Sequence, residues 1–192
     1  MSEAAQRRPE PMTIEGFLDF LDGRPAEEHW ELIDGTPLMM VGGTLAHARI
    51  SGNIDRLLAP AAERRGCMSL RGFLVEAGRT SGFEPDVMVR CGEMADESRR
   101  APDPVVVVEV LSPSTMRTDR VLKFERYRTI PALQQIVFVY QDSVRVESWL
   151  REHGDWREEP VLLLALDDSL AVPAVGASLP LAAIYASVRP GL

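Results

Sequence analysis

Along its 192 residues the chain alternates between helical and strand-like spacing of apolar side chains. Helical spacing begins at Ile14, Phe17, Leu18 and Leu21, at i, i+3, i+4 and i+7, behind Thr13, whose hydroxyl can accept a first-turn N–H. Gly16 occupies the place of a capping-box glutamate, so the cap rests on Thr13 alone. Trp30 to Val41 reads as two short strands around Asp34-Gly35, a pair suited to the positive φ angles of a two-residue hairpin turn. Pro37 lacks an N–H to donate, which puts the second strand at an edge or makes this its start. From Leu45 to about Arg65 the residues Ile50, Ile54, Leu57, Leu58 and Ala61 form one helical face, ended by Gly66.

Residues 67–76 and 83–90 predict strands separated by Gly78, Ser81 and Gly82, again hairpin-like, and a polar loop with Pro102 and Pro104 follows. Val105–Leu111 is almost unbroken in hydrophobicity, as a central strand covered on both faces should be. Ser112-Pro113-Ser114-Thr115 is a turn and cap opening a helix to about Arg128. Ile136–Tyr140 predicts a buried strand, and Gln141-Asp142-Ser143 turns it into Val144–Leu150, where Val144, Val146 and Ser148 alternate with Arg145, Glu147 and Trp149. The remainder offers a strand at 161–166, a Pro- and Gly-punctuated loop and a short helix around Leu181–Val188. The order α-β-β-α-β-β-β-α-β-β-β-α predicts an α/β (α+β) fold, a central mixed β-sheet flanked by helices. Chain length suits a flexible leader at 1–11 and a single domain over 12–192.

Composition narrows the function. No run reaches the 18 apolar residues of a membrane span, and Pro9, Glu10 and Pro11 stand where a secretory signal would be apolar, so a cytoplasmic protein is expected. Cys67 and Cys91 are too few for a disulfide framework and are read as reduced, structural thiols; with three histidines there is no zinc-type cluster at ligand spacing. The net charge of −8 supplies no global attraction for nucleic acid, so phosphate binding would need a local patch or a bound cation. The basic residues are twenty arginines and one lysine, Lys123. An ammonium and a guanidinium are not chemically interchangeable, which draws attention to that position.

The sharpest anomaly is Glu109, inside Val105-Val106-Val107-Val108-Glu109-Val110-Leu111. A carboxylate in a buried strand costs several kcal/mol unless it is paired; a cation, an Arg partner or a strand end reaching solvent would each relieve it. Asp86 opens a second apolar strand in Glu84-Pro85-Asp86-Val87-Met88-Val89, and alternation puts Glu84 and Asp86 on one face. Two carboxylates on adjacent strands, completed by water and a substrate phosphate, are the usual way to hold Mg²⁺; Pro-Asp is also a common turn. Lys123 shares a helical stripe with Asp119 and Tyr127, and if its helix packs along the Glu109 strand it can bind a phosphate oxygen or orient a water; otherwise it is a solvated helix lysine. His47 shares a helix face with Ile50 and Ile54, where it is a satisfied core histidine, a general acid or a phosphate contact.

These residues also form a recognisable set. Glu31-Leu32-Ile33-Asp34-Gly35, His47, Pro85-Asp86-Val87, Val108-Glu109-Val110-Leu111-Ser112-Pro113-Ser114-Thr115 and Asp119 with Lys123, Phe124 and Tyr127 resemble the Uma-type restriction endonuclease family of the PD-(D/E)XK nuclease superfamily, over about residues 12 to 188. The resemblance implies a restriction-endonuclease-like fold and a metal site of Asp86, Glu109 and the Val110 carbonyl, taking Mg²⁺ or Mn²⁺. It implies hydrolysis of a phosphodiester, with DNA the expected nucleic acid. The superfamily lysine stands two residues after the acidic residue on the same strand; here that position is Leu111, and the resemblance moves the role to Lys123 on the following helix. Glu31 matches an additional acidic residue that accepts a hydrogen bond from a bound water, or else makes a cross-strand pair in its hairpin. Arg117, Arg120, Lys123, Arg126 and Arg128 against Asp119 and Glu125 leave a local excess of three positive charges, a candidate phosphate-facing patch in which Arg117 and Arg120 are the substrate-binding residues.

No P-loop, nucleophile elbow or H-E-x-x-H motif occurs, which sets aside the common nucleotide-hydrolase, serine-hydrolase and zinc-protease classes. Two readings stand: a magnesium-dependent endonuclease working through Asp86, Glu109, Lys123 and Glu31, as a homodimer where both strands are cut, and the same fold kept as a binding or dimerisation module.

Overall fold

The apolar run beginning at Val105 lies in the middle of a sheet. The computed structural model describes residues 10–40, 42–112 and 116–190, with the backbone alone at 116–119. In order these form α1 (Ile14–Asp22), β1 (Trp30–Ile33), β2 (Thr36–Met39), α2 (Leu45–Glu63), β3 (Cys67–Leu70), β4 (Val75–Glu76), β5 (Gly82–Phe83), β6 (Val87–Cys91), β7 (Pro104–Leu111), α3 (Met116–Tyr127), β8 (Gln135–Tyr140), β9 (Val146–Glu152), β10 (Asp155–Trp156), β11 (Val161–Leu163), β12 (Ser169–Val172), β13 (Ala177–Pro180) and α4 (Leu181–Ile184). The main sheet runs β10-β9-β8-β7-β6-β3, with β11 also on β9; β7 pairs parallel to β8 and antiparallel to β6. The expected mixed sheet with flanking helices is therefore present.

Both faces of β7 are covered, as its unbroken hydrophobicity requires. Val106, Val108 and Val110 pack in one core with Ile50, Ile54 and Leu58 of α2. Val107 and Leu111 pack in the other with Phe138 and with Tyr127 of α3. The alternation along β9 divides the same way, except that Glu147 on its polar side is buried, 1% exposed. Thr13 caps α1, accepting the Gly16 N–H at 3.3 Å, and Asp34 and Gly35 take φ of 47° and 81° in the β1–β2 turn. β2, with Pro37, is an edge strand.

Several expectations need correction. The strands expected at 67–76 and 83–90 are each split: β3 and β6 pair in the main sheet, while β4 and β5 join a small sheet ordered β2-β1-β5-β4. Gly72, at φ 71°, and Pro85 mark the breaks, which let one long hairpin cross between two sheets. The strand expected at 161–166 stops at Leu163, because Asp168 Oδ2 accepts the N–H groups of Leu164 and Ala165 at 2.8 and 2.9 Å. The punctuated loop after it contains the hairpin of β12 and β13, whose Leu170, Val172 and Leu179 are core residues. Cys67 and Cys91 are joined as a disulfide and are not the reduced thiols expected; they are direct partners across β3 and β6, a relation that emerges only with register. Pro113, Ser114 and Thr115 lie outside the described residues. Among the described residues no helix is long and apolar enough to cross a membrane.

Candidate active site

The pairing of β6 with β7 sets Val87 opposite Val108 and Met88 opposite Val107; continued one step, the register sets Asp86 opposite Glu109. Asp86 extends the ladder through its side chain, Oδ2 accepting the Val110 N–H at 2.7 Å. A residue of an extended strand presents N–H and C=O to the same side, so the Val110 carbonyl is turned toward Asp86 as well.

Glu109 is 5% exposed and both its oxygens are engaged. Tyr127 donates its hydroxyl to Oε1 at 2.6 Å, and Lys123 Nζ donates to Oε1 and Oε2 at 3.1 and 3.2 Å. Lys123 is itself 4% exposed, so it is the buried counter-ion and not a solvated helix lysine. Its ammonium also donates to Glu31 Oε1 at 2.7 Å. Glu31, buried on β1, further accepts the N–H of Glu84, the residue after β5, at 3.2 Å. Glu84 turns its own carboxylate to His29 Nδ1 at 3.0 Å.

His47 stands in the first turn of α2 with its Nε2 3.1 Å from Asp86 Oδ1, part-exposed, so it is not a core histidine. Thr44 caps this helix by accepting the His47 N–H at 3.2 Å and donates its hydroxyl to Gln141 Oε1 at 2.6 Å, fixing the helix start against the end of β8. A Cβ on Gly43 would fall 2.8 Å from His47 Nδ1, so any larger residue there would displace the ring.

Charge is unevenly matched. Two carboxylates, Glu31 and Glu109, meet one lysine, and a third, Asp86, meets one histidine. Burial pushes the Glu109 carboxyl up to about 7; Lys123 opposes this, while the charges of Asp86 and Glu31 reinforce it. Burial works against the Lys123 ammonium, yet the charges of Glu109 and Glu31 outweigh it and hold that group protonated, above its usual range. Burial, then the same two carboxylates, raises the Tyr127 phenol well above its ordinary value. The hydrogen bond to Asp86 raises His47 against the opposing effect of burial.

Among the described residues no three His, Cys, Asp or Glu side chains converge as a closed metal cage would require. Mg²⁺ does not need one, since it keeps several waters and takes one or two carboxylates. Asp86, Glu109 and the Val110 carbonyl are hard oxygen donors at one strand end, beside a surplus of negative charge, and this set fits such an ion.

The basic residues of α3 are mostly engaged. Arg120 donates from Nε to Glu147 Oε2 at 2.8 Å, and the buried Glu147 also accepts from Tyr140 and Arg145, each at 2.7 Å. Arg126 pairs with Asp34 at 2.5 Å. The side chains of Arg117 and Asp119 lie outside the described residues. Sequence reasoning gave Tyr127 no role, although its place four residues after Lys123 was the available signal. It missed Glu147, which stood only as one member of an alternating strand.

The chain matches the Uma2 family model, described as "Putative restriction endonuclease", over residues 14–182. It is 31% identical over 178 residues to an uncharacterized protein of Synechocystis sp., covering 91% of each chain. A second uncharacterized protein of that organism is 35% identical over 131 residues, 65% of this chain and 73% of the other. Among solved structures, a protein of Anabaena variabilis described as a putative nuclease belonging to DUF820 superposes with a TM-score of 0.74 at 17% identity, covering 91% of this chain and 98% of that one. At that identity the likeness establishes a shared fold.

Proposed function

Because the chain belongs to the Uma2 family of restriction-endonuclease-type proteins, we propose that it is a magnesium-dependent endonuclease that hydrolyses phosphodiester bonds in DNA. The observation that carries this reading is the cluster at one strand end in which the part-exposed Asp86 and the buried Glu109 and Glu31 outnumber the buried Lys123. A stable fold gains little from three such carboxylates unless a cation joins them, since desolvation offsets their attraction to one ammonium.

Asp86, Glu109 and the Val110 carbonyl would hold the Mg²⁺, with Mn²⁺ as a substitute. When bound, the ion supplies charge neutralisation at the phosphate and lowers the pKa of water. Lys123, whose N–H bonds are taken by Glu31 and Glu109, lends its charge to the site as water adds to phosphorus, the phosphorus–oxygen ester bond breaks and the leaving oxygen takes up a proton from that water. Tyr127 and Lys123 fix the Glu109 carboxylate in orientation, and Glu31 keeps Lys123 charged. His47, its pKa raised by its hydrogen bond to Asp86, presents its part-exposed ring to a phosphate oxygen. Cutting both strands takes two such sites, so a homodimer acting on cytoplasmic DNA completes the proposal.

A second reading has one observation in its favour: Lys123 and Tyr127 already fill both oxygens of Glu109, as a purely structural cluster would. One experiment separates the two. Supercoiled plasmid is incubated with the protein and Mg²⁺ or Mn²⁺, beside Glu109→Ala and Lys123→Arg. The nuclease reading expects nicked and linear products from the wild type, none from Glu109→Ala and severe loss in Lys123→Arg. Equal cutting by wild type and Glu109→Ala, or no cutting together with no Mn²⁺ heat dependent on Asp86 and Glu109 in calorimetry, overturns it.

A further inference from the structure

An enzyme of net charge −8 that acts on a polyanion must meet the phosphate backbone with selected cations. Most basic groups near the carboxylates are already neutralised. Lys123 is paired with Glu31 and Glu109, Arg120 with Glu147 and Arg126 with Asp34. Arg71, in the turn after β3, differs. Its Nε donates to the backbone carbonyl of Asp86 at 3.3 Å and its Nη2 to the hydroxyl of Ser51 at 3.1 Å. Both partners are uncharged, so the guanidinium is positioned and keeps its whole charge. Ser51 is fully buried in α2 and donates onward to the Ala48 carbonyl at 3.3 Å, which makes the anchor rigid. Arg71 itself is exposed, and among the described residues it has no carboxylate partner. A guanidinium carries five N–H donors, so the outward ones remain for a bidentate acceptor such as a phosphodiester.

We infer that Arg71 is a substrate-binding residue that grips a backbone phosphate of the DNA neighbouring the one being cut. The inference rests on the nuclease reading above. Its anchor on the Asp86 carbonyl sets that grip one residue's breadth from a carboxylate of the candidate metal site, and so sets the register of the strand over the carboxylates. Lysine could supply the charge but not the fork that reaches two neutral anchors and a phosphate together.

The test uses the full chain with a short fluorescent DNA duplex, Ca²⁺ replacing Mg²⁺, and a KCl series followed by anisotropy. Arg71→Ala should bind roughly tenfold more weakly, with a plot of log K against log salt shallower by about 0.9. Arg71→Lys should keep the salt slope and recover only part of the affinity. In cleavage with Mg²⁺ the loss should fall mainly on KM. Wild-type affinity, slope and KM in Arg71→Ala would overturn this inference while leaving the nuclease reading intact. A fall in kcat and melting temperature with an unchanged salt slope would also overturn it, making Arg71 a strut for Asp86. A wild type that neither binds nor cuts the duplex would sink both.

Discussion

Replacing Lys123 with methionine removes the one side-chain ammonium while keeping an unbranched side chain of similar length. The ammonium is 4% exposed and lies 2.7 Å from Glu31 and 3.1 Å from Glu109, which are 1% and 5% exposed. Without it two buried carboxylates face each other with no cation. Breaking a buried pair by deleting one partner costs about 3–5 kcal/mol. The two contacts share one cation, so their losses do not add, and Tyr127 still donates to Glu109. For a chain of this size each kcal/mol moves the melting temperature by roughly 2–4 °C, so Lys123→Met should melt about 6–20 °C below the wild type in metal-free buffer. Adding Glu109→Gln to it removes one of the stranded charges and should recover part of the difference, a coupling read from the double-mutant cycle. Thermal unfolding by circular dichroism with EDTA present is the measurement. A melting point within about 2 °C of the wild type, or additive effects in the cycle, would refute the reading of Lys123 as the shared counter-ion.

Tyr127→Phe keeps the buried ring and removes the hydroxyl that meets Glu109 Oε1 at 2.6 Å; a loss of about 2 kcal/mol in urea unfolding and slower plasmid cutting are expected, and an unchanged urea midpoint would contradict the contact. Burial alone would raise the Glu147 carboxyl, but hydrogen bonds from Tyr140, Arg120 and Arg145 and the charge of Arg120 hold it below its ordinary value. A folded pKa below the unfolded one gives stability that is complete above the unfolded value and is lost as pH falls through the folded one. Acidification should therefore lower the urea midpoint of the wild type more than that of Glu147→Gln, and parallel curves would remove Glu147 from the acid response. Gly35→Ala places a Cβ 2.3 Å from Pro11 Cβ at φ 81°, so a loss of at least about 2 kcal/mol is expected by the same unfolding assay, and a neutral effect would count against the turn as described. Thiol titration of the unfolded, unreduced protein should find no free cysteine; two reactive thiols would contradict the Cys67–Cys91 bond.

Much of the fold was legible because it is written in local period. The β7 strand, both long helices and the β1–β2 turn follow from residues within one window. What was lost depended on partners distant in sequence. The splitting of residues 67–76 and 83–90 between two sheets shows only when β5 is found beside β1. The disulfide needs the register of β3 on β6, and the burial of Glu147 needs Arg120 to arrive from α3. The same limit divides the site. Glu109 announced itself, since a carboxylate amid valines is a local contradiction, whereas Arg71 is an arginine among twenty and acquires meaning only against Asp86 and Ser51.

Lys123 joins the two levels. Leu111 occupies the strand position two after Glu109, and the structure gives it a packing role beside Tyr127, 3% exposed. A lysine there would have to leave that core. From α3, one turn before Tyr127, the ammonium instead comes down on Glu109 from the helix layer and meets Glu31 arriving from the small sheet. Three oxygens then converge on one nitrogen, at 2.7, 3.1 and 3.2 Å. A compact ammonium with three N–H bonds suits that geometry. A planar guanidinium addresses two parallel acceptors and needs more room than a site this buried allows. In a chain that otherwise uses arginine throughout, the point-like convergence of Glu31 and Glu109 gives a physical reason for the one lysine.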